Sequence, residues 1–412
     1  MPSSDLLSLD NAIKKIKSYF NEINSEEVFL ENAIGRCLAE PIISKLDNPR
    51  YDVSSMDGYA IDFDSYTKTK KNKDQKLKIV GESSAGMPFK GKIKELETIR
   101  IFTGAKIPSE CNTIIIQEDV TVTKNENSIK LNTEIFKGQN IRKKGLDLQK
   151  NKKIFDKGTI IKARHLGSIA MAGQVWLNVI RKPIVSILST GNEISKVGSQ
   201  LNENQIPSGN SLMLAAMIRE FGGIPRILPV ANDNSLEIYK TLKNALDSDL
   251  IVTTGGVSVG KYDLIQNALE NFKNNKVNFW KIAMRPGKPL LFTNIEHTPL
   301  IGLPGNPVSS GVCCMIFVNI AIRKMLGIND DFPIFEQVSL DGELKPNDKR
   351  FDFVRSKLKN DKGVIKVKPF YKQDSSMITN FSQSDCLIAR EPYDKRKNNG
   401  DNVKILKYPN NI

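Results

Sequence analysis

Histidine is nearly missing from this chain: His165 and His297 are its two histidines in 412 residues. A histidine-rich metal centre or a Ser-His-Asp triad therefore has little material to work with. Cysteine is scarce as well. Cys37, Cys111, Cys313, Cys314 and Cys386 are scattered with no Cys-x-x-Cys pair, which argues against a disulfide framework and a structural zinc site. Cys313 and Cys314 sit in an apolar helical run and read as small buried hydrophobes. His297, beside Thr298-Pro299, fits a surface turn. No apolar run approaches the length of a membrane span, and Met1-Pro-Ser-Ser-Asp-Leu-Leu lacks a basic-then-apolar signal. The expectation is a cytoplasmic protein with no membrane partner. Low-complexity tracts and internal repeats are also missing.

What is present is ordinary globular composition on a basic background. The apolar fraction of 40% can fill more than one core, and the length suggests two to four domains. The formal charge of +14 allows a nucleic-acid surface or a solvated basic exterior around a site for an anionic substrate. The lysines lie among Asn, Asp and Glu rather than in a stripe interleaved with aromatics, so the second reading is preferred and no nucleic-acid partner is expected.

Along the chain the pattern changes several times. Residues 5–24 have helical spacing (Leu6, Leu9, Ala12, Ile13, Ile16, Phe20), and so do residues 163–172, in a segment suited to pack against them. Between them, residues 45–138 alternate short strand-like runs with Gly, Pro and Asn turns, an all-β insertion. Residues 1–44 and 139–178 then form one discontinuous helical domain. Over 179–327 strands alternate with helices: Ile184 to Leu188, Ile227 to Val230, Leu250 to Val252, Phe279 to Ile282 and Leu290 to Phe292, with a long apolar helix from Pro307. That is a doubly wound α/β domain, whose ligands gather at the C-terminal strand edge. Residues 328–412 return to short strands, a small C-terminal β domain.

Chemistry concentrates in the α/β domain. After the strand ending at Val252 come Gly255, Gly256, Ser258 and Gly260, and Asp263 opens a helical segment. A strand, a glycine turn and a helix start present free backbone N–H groups to an anion. An ordinary tight βα connection would read the same, and neither Gly-x-x-x-x-Gly-Lys-Ser/Thr nor Gly-x-Gly-x-x-Gly is present. Glu193 and Asp233 also fall at strand ends, and three carboxylates from three strand ends can converge on a metal or a phosphate edge. Each alone would equally serve as a helix cap or turn residue. Arg285-Pro-Gly-Lys288 sets two cations on a rigid backbone just beyond Lys281, a fit for an oxyanion or an exposed turn. Gly302 to Ser309, with Pro304, Asn306 and Pro307, makes a second anion-friendly helix start. In the β insertion, Asp57-Gly58 reads as a tight turn with Asp57 as its acceptor, and Thr103-Gly104 ends a strand; on physics alone both are structural.

Taken together these stretches closely resemble the molybdopterin molybdenumtransferase family, also known as MoeA and as the gephyrin E domain. The resemblance is carried by Ser54-Ser-Met-Asp-Gly-Tyr-Ala60, Gly81-Glu-Ser-Ser-Ala-Gly86, Arg100-Ile-Phe-Thr-Gly104 and Ile141-Arg-Lys-Lys-Gly-Leu-Asp147. Leu188-Ser-Thr-Gly-Asn-Glu193, Thr254-Gly-Gly-Val-Ser-Val-Gly260 with Asp263, Trp280 to Pro289 and Gly302 to Ser309 complete it, in family order. Arg285 stands where the family often has Lys, and Gln373-Asp-Ser-Ser376 where it has a Gly-Ser-Gly-like turn.

The resemblance implies a MogA-like α/β domain and the final step of molybdenum cofactor synthesis. Adenylylated molybdopterin and molybdate would be the substrates, and Mg²⁺ or a similar divalent cation would assist cleavage of the phosphoanhydride with release of AMP. It further implies an elongated homodimer in which the β domain of one subunit closes the α/β pocket of the other. Asp57, Thr103 and Asp147 would then join Glu193, Asp233 and Asp263 as catalytic residues, the last three on the metal. Arg142, Gly255, Gly256, Ser258, Gly260, Lys281, Arg285, Lys288, Pro304, Asn306, Pro307 and Ser309 would contact substrate. A transient contact with the molybdopterin adenylyltransferase is a further expectation. Two other classes stay open: a CinA-like nucleotide hydrolase would share Thr254 to Gly260 but lack Ser54 to Ala60 and Arg100 to Gly104, and a scaffold would need extra partner-binding domains.

Overall fold

The computed structural model describes residues 6–69, 75–123, 127–256, 264–328 and 330–408. Its centre is a six-stranded sheet in the order Ile224–Ile227, Ile184–Ser189, Leu250–Thr254, Thr298–Leu303, Leu291–Ile295, Asn275–Trp280. The first four strands run parallel, Leu291–Ile295 is antiparallel to them, and Asn275–Trp280 is antiparallel to that strand and so runs with the first four. Leu250–Thr254 is buried along its whole length because helices cover both faces, which is what a continuous apolar run in a parallel sheet requires.

Three details differ from the sequence expectation. Thr298–Leu303 is a central, fully buried strand where no strand was expected, between the His297 turn and a helix start expected from Gly302. The strand expected at 227–230 lies at Ile224–Ile227, and Pro225 is tolerated there because the strand is at a sheet edge. The β insertion is not all-β: beside its six-stranded sheet it carries the helix Phe63–Thr69.

The first helix, Leu9–Tyr19, is capped by Ser8, whose hydroxyl accepts from the Asn11 N–H. Its buried face (Leu9, Ala12, Ile16) joins the core of the α/β sheet, while Ile169 of the helix Ala163–Met171 lies in another cluster with Leu38, Leu177 and Val179. The two helices therefore do not share a core as their spacing had suggested. Pro307–Met325 is one continuous helical stretch with a π-helical segment at Cys314–Val318. Contrary to expectation, its 19 residues and mean hydropathy of 1.4 meet the length and composition of a bilayer span, yet 89% of the apolar window is buried in this core.

After that helix the chain forms a closed barrel. Phe351–Asp361, Val364–Pro369, Glu336–Leu340, Asn402–Lys407 and Cys386–Arg390 pair in that order, and the last pairs back onto the first. Met284–Arg285 adds to the barrel alongside Phe351 and Asp352, so a loop of the α/β domain is built into its wall.

Candidate active site

Parallel pairing of Thr254 with Leu303 makes two turns emerge side by side, Gly255-Gly256 and Pro304-Gly305. They touch closely: a Cβ on Gly305 would sit 3.5 Å from the Gly255 Cα. Gly255 and Gly256 have φ of +89° and +66°, where a side chain is strained. A Cβ on Gly255 would also fall 2.6 Å from the Thr190 carbonyl, so a third strand end packs against the pair. Above these turns opens a cleft of about 800 Å³.

One wall is acidic. Glu193 and Asp233, both exposed, line it. Gly191 has φ +138°, and an added Cβ would lie 2.5 Å from Glu193 Oε2, so the turn folds this carboxylate back over bare backbone. Asp233 is tied to the same turn: Asn192 N–H donates to its Oδ2 (3.3 Å), and its own N–H donates to Asn192 Oδ1 (3.0 Å). Among the described residues no group of three His, Cys, Asp or Glu could hold a metal. Two carboxylates on the wall of one cleft are a donor set that Mg²⁺ accepts, since it commonly takes one or two carboxylates and completes its shell from substrate phosphate and water. Asp263, Ser258 and Gly260 lie outside the described residues.

The opposite wall is neutral and polar. Asn210 Nδ2 donates to Thr254 Oγ1 (2.9 Å) and to the Gly305 carbonyl (2.8 Å), and Thr254 Oγ1 donates to the Pro304 carbonyl (3.1 Å). Pro304, Asn306, Pro307 and the buried Ser309 line this side, with Pro289 and Ser376. Asn306 Nδ2 donates to Ser375 Oγ (2.9 Å), so the barrel turn 373–376 forms part of the rim. Behind that turn is Arg355, 1% exposed. Its Nη2 donates to the Asp374 carbonyl (3.2 Å), its Nε has no partner among the described residues, and burial pulls its pKa below the usual guanidinium range. A buried cation without a carboxylate contact favours an approaching anion. Thr190, also on the cleft, has a buried hydroxyl with no partner among the described residues. Sequence reasoning missed Asn210 and Thr190 because a Ser/Asn-rich helix start and a strand-end Thr look like caps.

The cationic loop is placed differently from the expectation. Arg285 forks onto Asp352 (3.1 and 2.5 Å) and reaches Asp348 (3.4 Å), both on the barrel side, and the Asp352 contact raises its pKa further. Neither Arg285 nor Lys281 lines the cleft; the Lys281 ammonium lies 4.5 Å from the Trp280 ring centre. Lys288 faces a neighbouring cavity of about 410 Å³ with Arg350 and Tyr393, while the next residue, Pro289, lines the cleft itself.

The remaining site residues sit elsewhere in the single chain. Asp57 accepts from the Thr103 N–H and hydroxyl (2.8 Å each), and the backbone bond first, then the hydroxyl, holds its carboxyl below the usual range. Asp147 accepts from Asn48 Nδ2 (3.1 Å), and Arg142 is exposed on the short strand Ile141–Arg142, paired with Val53–Ser54. None of these four lines the cleft.

Comparison with known proteins matches this layout end to end. Family models for the MoeA N-terminal region (domain I and II), a probable molybdopterin binding domain and the MoeA C-terminal region (domain IV) match residues 7–173, 186–324 and 337–408. The chain belongs to the MoeA family. A molybdopterin molybdenumtransferase from Haemophilus influenzae is 34% identical over 97% of this chain and 98% of its own length. One from Bacillus subtilis is 27% identical over 97% and 94%. A MoeA crystal structure from Pyrococcus horikoshii OT3 superposes with a TM-score of 0.83 at 26% identity, covering 98% of this chain and all of that one. In MoeA terms, the cleft lies in the region matched by the molybdopterin-binding model, and Ser376 reaches its rim from domain IV.

Proposed function

We propose that this chain inserts molybdenum from molybdate into adenylylated molybdopterin, releasing AMP, as the last step of molybdenum cofactor synthesis. The observation that carries the reading is one cleft lined by Glu193 and Asp233 on its acidic side and by backbone and hydroxyl groups elsewhere, with Arg355 buried behind its rim and bonded there to the Asp374 carbonyl. Relatives named molybdopterin molybdenumtransferase over nearly the whole length support it.

Backbone N–H groups of the Gly255 and Gly305 turns bind and orient the phosphate groups. Glu193, Asp233 and Asp263 would hold a divalent cation, which supplies charge neutralisation at the phosphoanhydride. Ser309, Ser376 and Arg355 mark the oxyanion end, with Lys288 at its approach. Arg285 holds the loop against the barrel instead of meeting the oxyanion. Asp57, Thr103, Arg142 and Asp147 act on the cleft of a second copy in a homodimer, which accounts for their distance from the cleft of their own chain.

AMP release from adenylylated molybdopterin, with molybdate and Mg²⁺ present, tests this. Glu193→Ala and Asp233→Ala are each expected to lower the rate by at least about a hundredfold, the size typical of losing a group that stabilises transition-state charge. Wild-type rates in both variants would remove the acidic wall from the mechanism.

A further inference from the structure

Asn210 is pinned more firmly than a half-exposed side chain at a helix start needs to be. The Gly305 carbonyl can only accept, so the atom facing it at 2.8 Å is the amide nitrogen. Thr254 spends its hydroxyl proton on the Pro304 carbonyl and therefore accepts from the same nitrogen at 2.9 Å. Both amide protons are thus committed, and the carboxamide can neither flip nor rotate without losing two bonds. Its oxygen accepts no hydrogen bond from any described residue, although Asn210 lines the cleft. Thr254 itself is gripped from a further side by Ser310 Oγ at 3.2 Å, so the anchor belongs to the sheet and the long helix and not to a mobile turn.

A fixed acceptor beside bare glycine backbone selects for a ligand N–H. We infer that Asn210 is a specificity-determining residue whose carboxamide oxygen reads an exocyclic amino group on the heterocycle bound in the cleft. The inference rests on the reading of the cleft as a site for an adenylylated pterin. Such a ligand offers this chemistry twice, as the adenine 6-amino and the pterin 2-amino group. An oxo group at either position would set oxygen against oxygen and leave Asn210 unpaired, a mismatch that polar sites reject strongly.

The test is equilibrium binding of two ligand pairs to the full chain: AMP against IMP, and pterin against lumazine, in which oxo replaces the amino group. Wild type is expected to prefer the amino member of one pair by about tenfold or more, the equivalent of one well-made hydrogen bond. The pair that shows the preference identifies the ring. In Asn210→Ala the preference should collapse to within about twofold while both members still bind. Asn210→Ser, which keeps a polar donor at the helix start, should behave alike if Asn210→Ala folds poorly; a ratio within one protein is insensitive to the fraction folded. Binding without preference in wild type, or a preference that survives both variants, overturns the role of Asn210 and leaves the proposed function standing. Failure of wild type to bind any of the four overturns the reading of the cleft and this inference with it.

Discussion

A buried hydroxyl without a partner is a local loss, and among the described residues Thr190 has none for its hydroxyl beside Gly256, where a Cβ would lie 2.8 Å from that hydroxyl and 3.0 Å from Ile265 Cγ1. The pair makes opposite predictions. Thr190→Val removes an unsatisfied group at nearly constant volume and is expected to leave unfolding free energy unchanged or raise it by about 1 kcal/mol. Gly256→Ala forces a side chain into left-handed backbone and into those contacts, with an expected loss of about 1–3 kcal/mol. Urea denaturation measures both; a gain for Gly256→Ala would show that the turn is not held by close approach. Asp348 makes a pH prediction. Its carboxylate accepts from Arg350 Nη2 at 2.7 Å, and that bond, with Arg285 nearby, lowers its pKa from 3.8 to about 2. A group depressed on folding stabilises above its unfolded pKa, so its contribution is complete at neutral pH and is lost as pH falls from about 4 to about 2. The side chain is 43% exposed, so solvent screening keeps the effect small. In urea midpoints recorded from pH 7 to pH 2.5, Asp348→Asn should flatten the fall below pH 4; a variant that tracks wild type through that window would contradict the ion-pair assignment.

At the level of elements, one crowded contact between the C-terminal domain and the long helix is made by Phe381, in the short helix Ile378–Ser382. A Cβ on Gly311 would meet the Phe381 ring at 2.6 and 2.7 Å. Gly311→Ala is therefore expected to cost about 1–3 kcal/mol by overpacking, and in a Phe381→Ala background that cost should vanish. A double-mutant cycle by denaturation reads the coupling, and additive effects would show that Gly311 and Phe381 do not press on each other. This contact also shows where sequence reasoning stops. Leu250 to Thr254 was legible because a buried parallel strand leaves an uninterrupted apolar, β-branched run, and the glycines after it marked the turn. Thr298–Leu303 was not, since Pro299 and Gly302 read as punctuation until neighbouring strands bury them. Glu193 and Asp233 were legible as residues following strands, and both line the cleft, because topology alone gathers such residues at the strand edge. Arg285 was legible as a cation but not as a clamp, because Asp352 lies 67 residues away and nothing local announces the pairing. Asn210 and Arg355 owe their significance to neighbours that only the fold supplies.

At the scale of the molecule the unresolved tension is that half of the expected catalytic set lies off the cleft. Asp57 and Thr103 are held together by two 2.8 Å bonds on the β insertion, far in sequence from the Glu193 and Asp233 wall, and none of the β-domain set lines that wall in its own chain. Two arrangements accommodate this: the insertion closes over its own cleft, or it serves the cleft of a second copy. They differ in a way that mixing inactive variants detects. The Asp57→Ala and Glu193→Ala variants should each be nearly inactive alone. After dissociation and reassembly of an equal mixture, half of the dimers pair one damaged insertion with one damaged acidic wall. If sites are shared, each such dimer carries one intact site, and activity should recover to about a quarter of wild type, as two-fold symmetry requires. If each chain builds its own site, every site keeps a lesion and no recovery is possible. Tagging the two variants differently and recovering doubly tagged dimers by sequential affinity purification establishes that exchange has occurred, so a mixed dimer that still stays inactive would rule out the shared site.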